Sequence, residues 1–134
     1  MDGVLLDTDV VSYAFREAVE YEPYKRDLYG KTAFISFMTW AELMRGSLSR
    51  KWGERRRAEL YGFVEEKYVV INSNQDVSRI WGEVVEEAKS KGRVIQTADA
   101  WVAATAIAAD LPLLSNNRKH YGFLDSLNLV SHAP

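Results

Sequence analysis

The 134-residue chain contains no cysteine, which excludes disulfide bonds, cysteine-ligated zinc and a thiol nucleophile. It also lacks an excess of positive charge: 17 basic residues against 19 acidic residues leave a net charge of -2, so any contact with nucleic acid must be local. No stretch approaches the roughly 18 apolar residues of a membrane-spanning helix. The first residues, MDGVLLD, do not resemble a signal peptide. We therefore expect a cytoplasmic protein with no membrane contact.

The pattern of apolar residues predicts a single domain over residues 1–134, in which strands and helices alternate. Short apolar runs predict strands at 4–6, 32–36, 68–71 and 112–115, with a possible edge strand at 127–131. Helical patterns cover 9–20, 37–48, 54–67, 74–91 and 97–111, with Asp9 and Ser36 as expected N-caps and Gly92 as a C-terminal stop. This alternation predicts an α/β fold of three layers: a mostly parallel sheet of four to five strands, flanked by helices.

Acidic side chains occur at positions where the predicted elements are otherwise apolar. Asp7 follows the first strand, Glu42 lies in the second helix and Asp99 lies near the start of the alanine-rich helix. If these carboxylates converge where the strands end, the usual ligand position in such sheets, a cation must offset their repulsion. Oxygen ligands alone select Mg2+, or alternatively Mn2+. Taken singly, Asp99 can also be a first-turn acid and Glu42 a solvated residue.

Four motifs resemble those of PIN-domain ribonucleases, specifically the VapC toxins of type II toxin-antitoxin pairs. The segment LLDTDVVS is similar to the strand-end D-T-N/D motif of that family, and SFMTWAELMRG is similar to S-x4-A-E-L-x2-G. DAWVAATA matches D-x2-I-A-A-T-A with Val102 for Ile. LLSNNRKHY resembles T-x-N-x2-D/H-F, with Ser115 and Tyr121 as departures. The motifs occur in the family's order and span residues 4 to 121.

The resemblance implies a PIN-like fold and a metal-dependent endoribonuclease that hydrolyses RNA phosphodiester bonds. It implies Asp7, Glu42 and Asp99 as catalytic metal ligands for Mg2+ (or Mn2+), with Asn117 as a neutral fourth catalytic residue. No acid occupies the last motif, which casts doubt on a second metal. Side chains expected to support the site or position the substrate are Asp9, Ser12, Ser115 and His120. His120 has two readings: it holds the site by hydrogen bonds, or it contacts the phosphate or a proton directly.

Two basic segments are candidate RNA contacts on an otherwise acidic protein. They contain Arg50, Lys51, Arg55, Arg56, Arg57, Arg118 and Lys119. The alternative for the first segment is a solvated helix start with Trp52 packed underneath.

The resemblance also implies a small cognate antitoxin as partner, and a homodimer. The aromatic and apolar side chains near the early helices are candidates for receiving the antitoxin, or are ordinary core: Tyr13, Phe15, Trp40 and Met44.

Two other functions fit parts of the pattern. The first is a catalytically inactive PIN-like module that only binds RNA or an antitoxin. The second is a phosphatase resembling the haloacid dehalogenases, in which Asp7 of the D-x-D motif would be the nucleophile. That fold also needs a downstream lysine and a later acidic motif.

Overall fold

The computed structural model describes residues 2–134, whose five strands form one parallel sheet. The strands are Gly3–Leu6 (β1), Thr32–Ser36 (β2), Val69–Ile71 (β3), Leu113–Leu114 (β4) and Leu129–Val130 (β5). Their order across the sheet is β3-β2-β1-β4-β5, and every neighbouring pair is parallel. The predicted fold class is therefore confirmed, with the 127–131 segment contributing an edge strand.

Seven α-helices and one 3-10 helix occur in residues 2–134. The α-helices are Thr8–Phe15 (α1), Lys25–Leu28 (α2), Phe37–Ser49 (α3), Glu54–Lys67 (α4), Gln75–Ser90 (α5), Thr97–Ala108 (α6) and Arg118–Tyr121 (α7). Ser36 caps α3 as predicted, since its hydroxyl accepts from the Thr39 N–H at 3.0 Å. After α5, Gly92 adopts a φ of 69°, a left-handed conformation that suits glycine and ends the helix.

The central strand β1 packs against helices on both faces, which explains its unbroken apolar run. Val4 and Leu6 belong to one hydrophobic cluster, while Leu5 belongs to the cluster on the opposite face. Gly3 begins the strand at a point of close approach, where an added Cβ would lie 2.7 Å from the Phe34 ring. Helices on the two faces complete the three layers.

The start and end of α1 correct two predictions. Asp9 is not the N-cap: the backbone is still extended at Asp7, whose carboxylate accepts from the Thr8 N–H at 2.9 Å, so Asp7 is the cap and Asp9 lies in the first turn. The helix also ends at Phe15 instead of continuing to residue 20. Glu17 adopts a φ of 54°, and the Ala18 N–H donates back to the Tyr13 carbonyl, which closes the helix end.

The segment between α1 and β2 was not predicted. It contains the 3-10 helix Val19–Tyr24, which includes Pro23 and leads directly into the short α2. Within residues 2–134, none of the helices is both long and apolar enough to cross a membrane.

Candidate active site

Asp7 is the buried centre of the candidate site. It follows β1 at the edge where the carboxyl ends of all five parallel strands meet, and only 4% of its surface is exposed. One carboxylate oxygen accepts from the Thr8 N–H, and the other accepts from the Ser115 hydroxyl at 2.8 Å. Ser115 follows β4, which pairs directly with β1. The sheet therefore brings together two predicted site residues that are far apart in sequence.

Two further carboxylates act on Asp7 electrostatically. Burial first, then the negative charge of Asp9 and, more weakly, that of Asp99 raise the pKa of Asp7, and the hydrogen bonds from Ser115 and Thr8 oppose them; the net result is a pKa of about 7. Burial also raises the pKa of Asp9, whose carboxylate accepts from the Asn116 N–H at 2.9 Å. Near neutral pH the cluster therefore carries an electrostatic cost that a proton or a cation can relieve.

Asp99 lies in the first turn of α6 and contacts α7. Its carboxylate lies 3.1 Å from His120 Nδ1 and accepts from the Tyr121 hydroxyl at 3.3 Å. Burial raises the pKa of Asp99, while the contacts with His120 and Tyr121 lower it. Of the two roles predicted for His120, this contact fits the one in which His120 holds the site by hydrogen bonds. Tyr121 is fully buried, and its hydroxyl faces both Asp99 and Asp7.

Glu42 lies at the rim of this cluster and is only partly buried. The Thr8 hydroxyl donates to Glu42 Oε1 at 2.6 Å, and it lies 3.2 Å from the Thr39 hydroxyl. Within residues 2–134, no group of three or more His, Asp or Glu side chains has a geometry that could hold a metal ion. Asp7, Glu42 and Asp99 thus remain a predicted ligand set, with Thr8 as the structural link between Asp7 and Glu42.

Within residues 2–134, the side chains of Ser12 and Asn117 form no hydrogen bond with the carboxylates of the site. Ser12 instead lines a cavity of about 90 Å³ beside Glu42, together with Arg16 and Arg50. The Asn117 side chain is exposed, and its backbone N–H donates to the Ser115 hydroxyl at 3.1 Å. Their predicted roles toward a substrate stay predictions.

In the basic segment near residue 52, the Trp52 ring packs against the protein, as in the alternative to RNA binding described in the sequence analysis. The Trp52 ring is half-buried, stacks on Phe15 at 5.9 Å and is covered by the Arg56 guanidinium at 4.0 Å. Arg55 pairs with Glu59 within α4 at 3.5 Å. Because Phe15 and Arg56 already contact the Trp52 ring, the ring is poorly placed to stack on a base. The four aromatic and apolar candidates for antitoxin contact are likewise half-buried: Tyr13, Phe15, Trp40 and Met44.

Three residues that contact the carboxylates were missed from the sequence: Thr8, Asn116 and Tyr121. Two of them carried a usable signal. Thr8 lies between two acids at a strand end, and Tyr121 replaces the family's Phe, so that its hydroxyl needs a polar partner when buried. Asn116 carried no signal, because its contact with Asp9 joins residues 107 positions apart.

Comparison with known proteins places the chain in a family. Residues 4–123 match the model of the PIN domain. The chain is 33% identical over 116 residues to VapC ribonuclease Y4jK of Sinorhizobium fredii, covering 78% of this chain and 80% of that protein. It is 25% identical over 127 residues to Ribonuclease VapC1 of Methanocaldococcus jannaschii, covering 94% of this chain and 84% of that protein.

Among solved structures, the chain resembles VapBC2 from Rickettsia felis bound to a DNA fragment from its promoter, with a TM-score of 0.83 and 25% identity. That match covers 96% of this chain and 97% of the other. VapBC from Salmonella typhimurium, bound to DNA, has the same fold with a TM-score of 0.82, 19% identity and 98% coverage of both chains. With the family model matching most of its length, the chain belongs to the PIN domain family and, within it, to the VapC group.

Proposed function

We propose that this chain is a metal-dependent endoribonuclease, the toxin component of a type II toxin-antitoxin pair. The observation that carries the proposal is the cluster of Asp7, Asp9 and Asp99 at the carboxyl edge of the sheet. These carboxylates face one another with no lysine or arginine among the groups that shift the pKa of Asp7. Relatives named ribonucleases, in the VapC group, support RNA as the substrate.

The donor chemistry of the cluster fits Mg2+ or Mn2+. All candidate ligand atoms are carboxylate, hydroxyl or amide oxygens, which hard divalent cations prefer. The raised pKa of Asp7 supports the fit, because a bound cation would offset both the desolvation cost of the buried carboxylate and its repulsion by Asp9. Asp7 and Asp99 would hold the ion, with Glu42 as the third carboxylate. When bound, such an ion supplies Lewis acidity, which lowers the pKa of water and neutralises charge developing on a phosphodiester.

The protein's own side chains hold the carboxylates in position for this chemistry. Ser115 donates to one oxygen of Asp7, which orients the other toward Thr8. Tyr121 and His120 hold the two oxygens of Asp99 from α7. Each acid thereby keeps a fixed rotamer, so little reorganisation is needed when a phosphodiester approaches.

Exposed cations near the edge of the site support an RNA substrate. Arg93 and Lys119 are exposed, and both line a cavity of about 190 Å³ that also includes Asp99. On the other side of the site, Arg16 and Arg50 line the cavity beside Glu42. Phosphates arriving at the acids would therefore meet positive charge on both sides.

A protein partner and a cytoplasmic location are part of the proposal. Solved relatives are VapBC toxin-antitoxin complexes, some of them bound to DNA, which supports a cognate antitoxin for this chain. Its cavity near Glu42 has apolar walls from Phe15, Leu43 and Trp52, which suits a short apolar segment. We also expect a homodimer, which light scattering on the purified protein would test.

The alternative functions are less well supported. A phosphatase of the haloacid dehalogenase type requires a lysine beside Asp7, whereas the neighbours that shift its pKa are two acids and two hydrogen-bond donors. An inactive binding module does not require three partly or fully buried carboxylates whose pKa values are raised by burial and, for Asp7 and Asp9, also by a neighbouring acid.

A cleavage assay tests the proposal directly. The purified protein is incubated with structured RNAs and either Mg2+ or Mn2+, alongside EDTA, an Asp7→Asn variant and an Asp76→Asn variant. Asp76 is an exposed acid on α5 and serves as the matched control. We expect cleavage by the wild type and Asp76→Asn, and none with EDTA or Asp7→Asn. Cleavage that survives either EDTA or Asp7→Asn would rule out the metal-dependent mechanism.

A further inference from the structure

Tyr24 is a buried side chain that the ribonuclease chemistry does not itself require. It ends the 3-10 helix, has no exposed surface, and donates its hydroxyl proton to Asn116 Oδ1 at 2.7 Å. The Tyr24 hydroxyl oxygen also accepts from the His132 N–H at 3.0 Å, and the His132 ring packs edge-on against the Tyr24 ring at 4.7 Å. One hydroxyl therefore joins the segment before β2 to the segments that follow β4 and β5.

Asn116 connects this hydroxyl to the acidic cluster. Its backbone N–H donates to Asp9 Oδ2 at 2.9 Å, while its side chain is the acceptor for Tyr24. The neighbouring N–H of Asn117 donates to the Ser115 hydroxyl, which in turn donates to Asp7. Any movement of residues 115–117 would thus disturb contacts to both Asp7 and Asp9.

The segment after β5 supports Tyr24 from the other side. His132 Nε2 lies 2.7 Å from Asp27 Oδ2, which fixes the ring above α2. The Ser131 carbonyl accepts from Arg118 at 3.0 Å, and the Val130 carbonyl accepts from the Ser115 N–H at 3.1 Å. Residues 130–132 are therefore bonded both to Tyr24 and to the loop that Tyr24 holds.

We propose that Tyr24 is a positioning residue of the site, which acts by holding Asn116 so that residues 115–117 keep Asp7 and Asp9 in their reactive arrangement. This inference deepens the proposed ribonuclease function and rests on it. Asn116 falls at a variable position of the last motif, and Tyr24 lies outside all four motifs. The role comes from the three-dimensional contacts of this chain.

The test compares Tyr24→Phe with Tyr68→Phe. Both tyrosine residues are buried, but the Tyr68 hydroxyl has no side-chain hydrogen bond within residues 2–134, so Tyr68→Phe controls for removing a phenol oxygen without breaking such a bond. We expect Tyr24→Phe to lower kcat about fivefold, roughly the effect of losing the hydrogen bond that holds Asn116, and to leave KM within about twofold. Tyr68→Phe should leave both constants unchanged. An unchanged kcat in Tyr24→Phe would overturn the proposal.

A second measurement does not depend on activity. Amide hydrogen exchange by NMR should show the Asn116 N–H exchanging about fivefold faster in Tyr24→Phe than in the wild type or Tyr68→Phe. Equal exchange rates would overturn the proposal even if the protein cleaves no RNA. An inactive wild type would refute the ribonuclease function, so the two failures are distinguishable.

A double-mutant cycle tests whether Tyr24 acts through Asn116. Asn116→Ala removes the side-chain acceptor but keeps the backbone N–H that contacts Asp9. Adding Tyr24→Phe to this variant should lower kcat by less than about twofold further. A further fivefold loss would show that Tyr24 acts by another route and would contradict the proposal.

Discussion

Replacing Asp7 by asparagine should stabilise the metal-free protein above pH 7. Burial and the Asp9 charge raise the pKa of Asp7 from 3.8 to about 7 in the folded protein. Between these pH values the folded state holds a proton that the unfolded state has lost. The free energy of unfolding therefore falls as pH rises through this window, by about 1.4 kcal/mol per pH unit. Below about pH 4 the penalty is absent, and above about pH 7 it is complete.

The size of the effect follows from the width of the window. A rise from 3.8 to about 7 is roughly three pH units, which corresponds to a penalty of about 4 kcal/mol at pH 8. Asparagine does not ionise, and its oxygen can still accept from the Thr8 N–H. Allowing for an altered bond to Ser115, we expect Asp7→Asn to gain about 2 to 4 kcal/mol at pH 8. The melting temperature should rise by roughly 6 to 12 °C.

Urea unfolding in EDTA between pH 5 and pH 8.5 measures this effect for the wild type, Asp7→Asn and the exposed-acid control Asp76→Asn. The Asp7 variant should match the wild type near pH 5 within about 1 kcal/mol, and exceed it increasingly toward pH 8. The control should follow the wild type throughout. Parallel pH curves for the wild type and Asp7→Asn, or a less stable variant at pH 8, would refute this reasoning.

Two further predictions concern the rim of the site. Thr8→Val removes the hydroxyl that donates to Glu42 at 2.6 Å and should lower the rate of RNA cleavage about tenfold. Thr8→Ser keeps the hydroxyl and should keep the cleavage rate. Equal losses of cleavage in both variants would contradict this role of Thr8. Lys119→Ala should weaken RNA binding, measured by filter binding across salt concentrations, more than Arg56→Ala does. The Arg56 guanidinium is already held over the Trp52 ring at 4.0 Å, while Lys119 is exposed, so a larger effect at Arg56 would oppose this prediction.

Elements with strong periodicity or clear caps were predicted closely. The pattern over 74–91 corresponds to Gln75–Ser90, and the cap at Ser36 is confirmed. The segment 19–28 was missed because a 3-10 helix followed by a four-residue helix is too short to show an apolar period. The end of α1 was misjudged because the turn at Glu17 uses a left-handed backbone without glycine or asparagine.

Site residues could be predicted where the end of one strand or a single sequence motif was enough to identify them. Asp7 follows an apolar run and Asp99 begins an alanine-rich helix, so both stood out as costly acids. The neighbours of these acids depend on tertiary packing: Ser115 reaches Asp7 across 108 positions and Thr8 reaches Glu42 across 34. The cap of α1 was predicted at Asp9 but lies at Asp7, because the extended backbone of the strand continues only one residue past Leu6 before the helix begins.

The order of the strands also determines when during synthesis the site can form. β1 and its partner β2 both lie within residues 3–36, whereas the other neighbour of β1, the strand β4, comes only at Leu113–Leu114. A nascent chain thus carries Asp7 and Glu42 long before Ser115, Asn116 and Tyr121 leave the ribosome. Pairings between such distant segments form slowly, because loop closure must come first. Under the proposed function, we expect a chain that ends before Leu113 not to cleave RNA, because it lacks Ser115 and Tyr121, the side chains that hold Asp7 and Asp99.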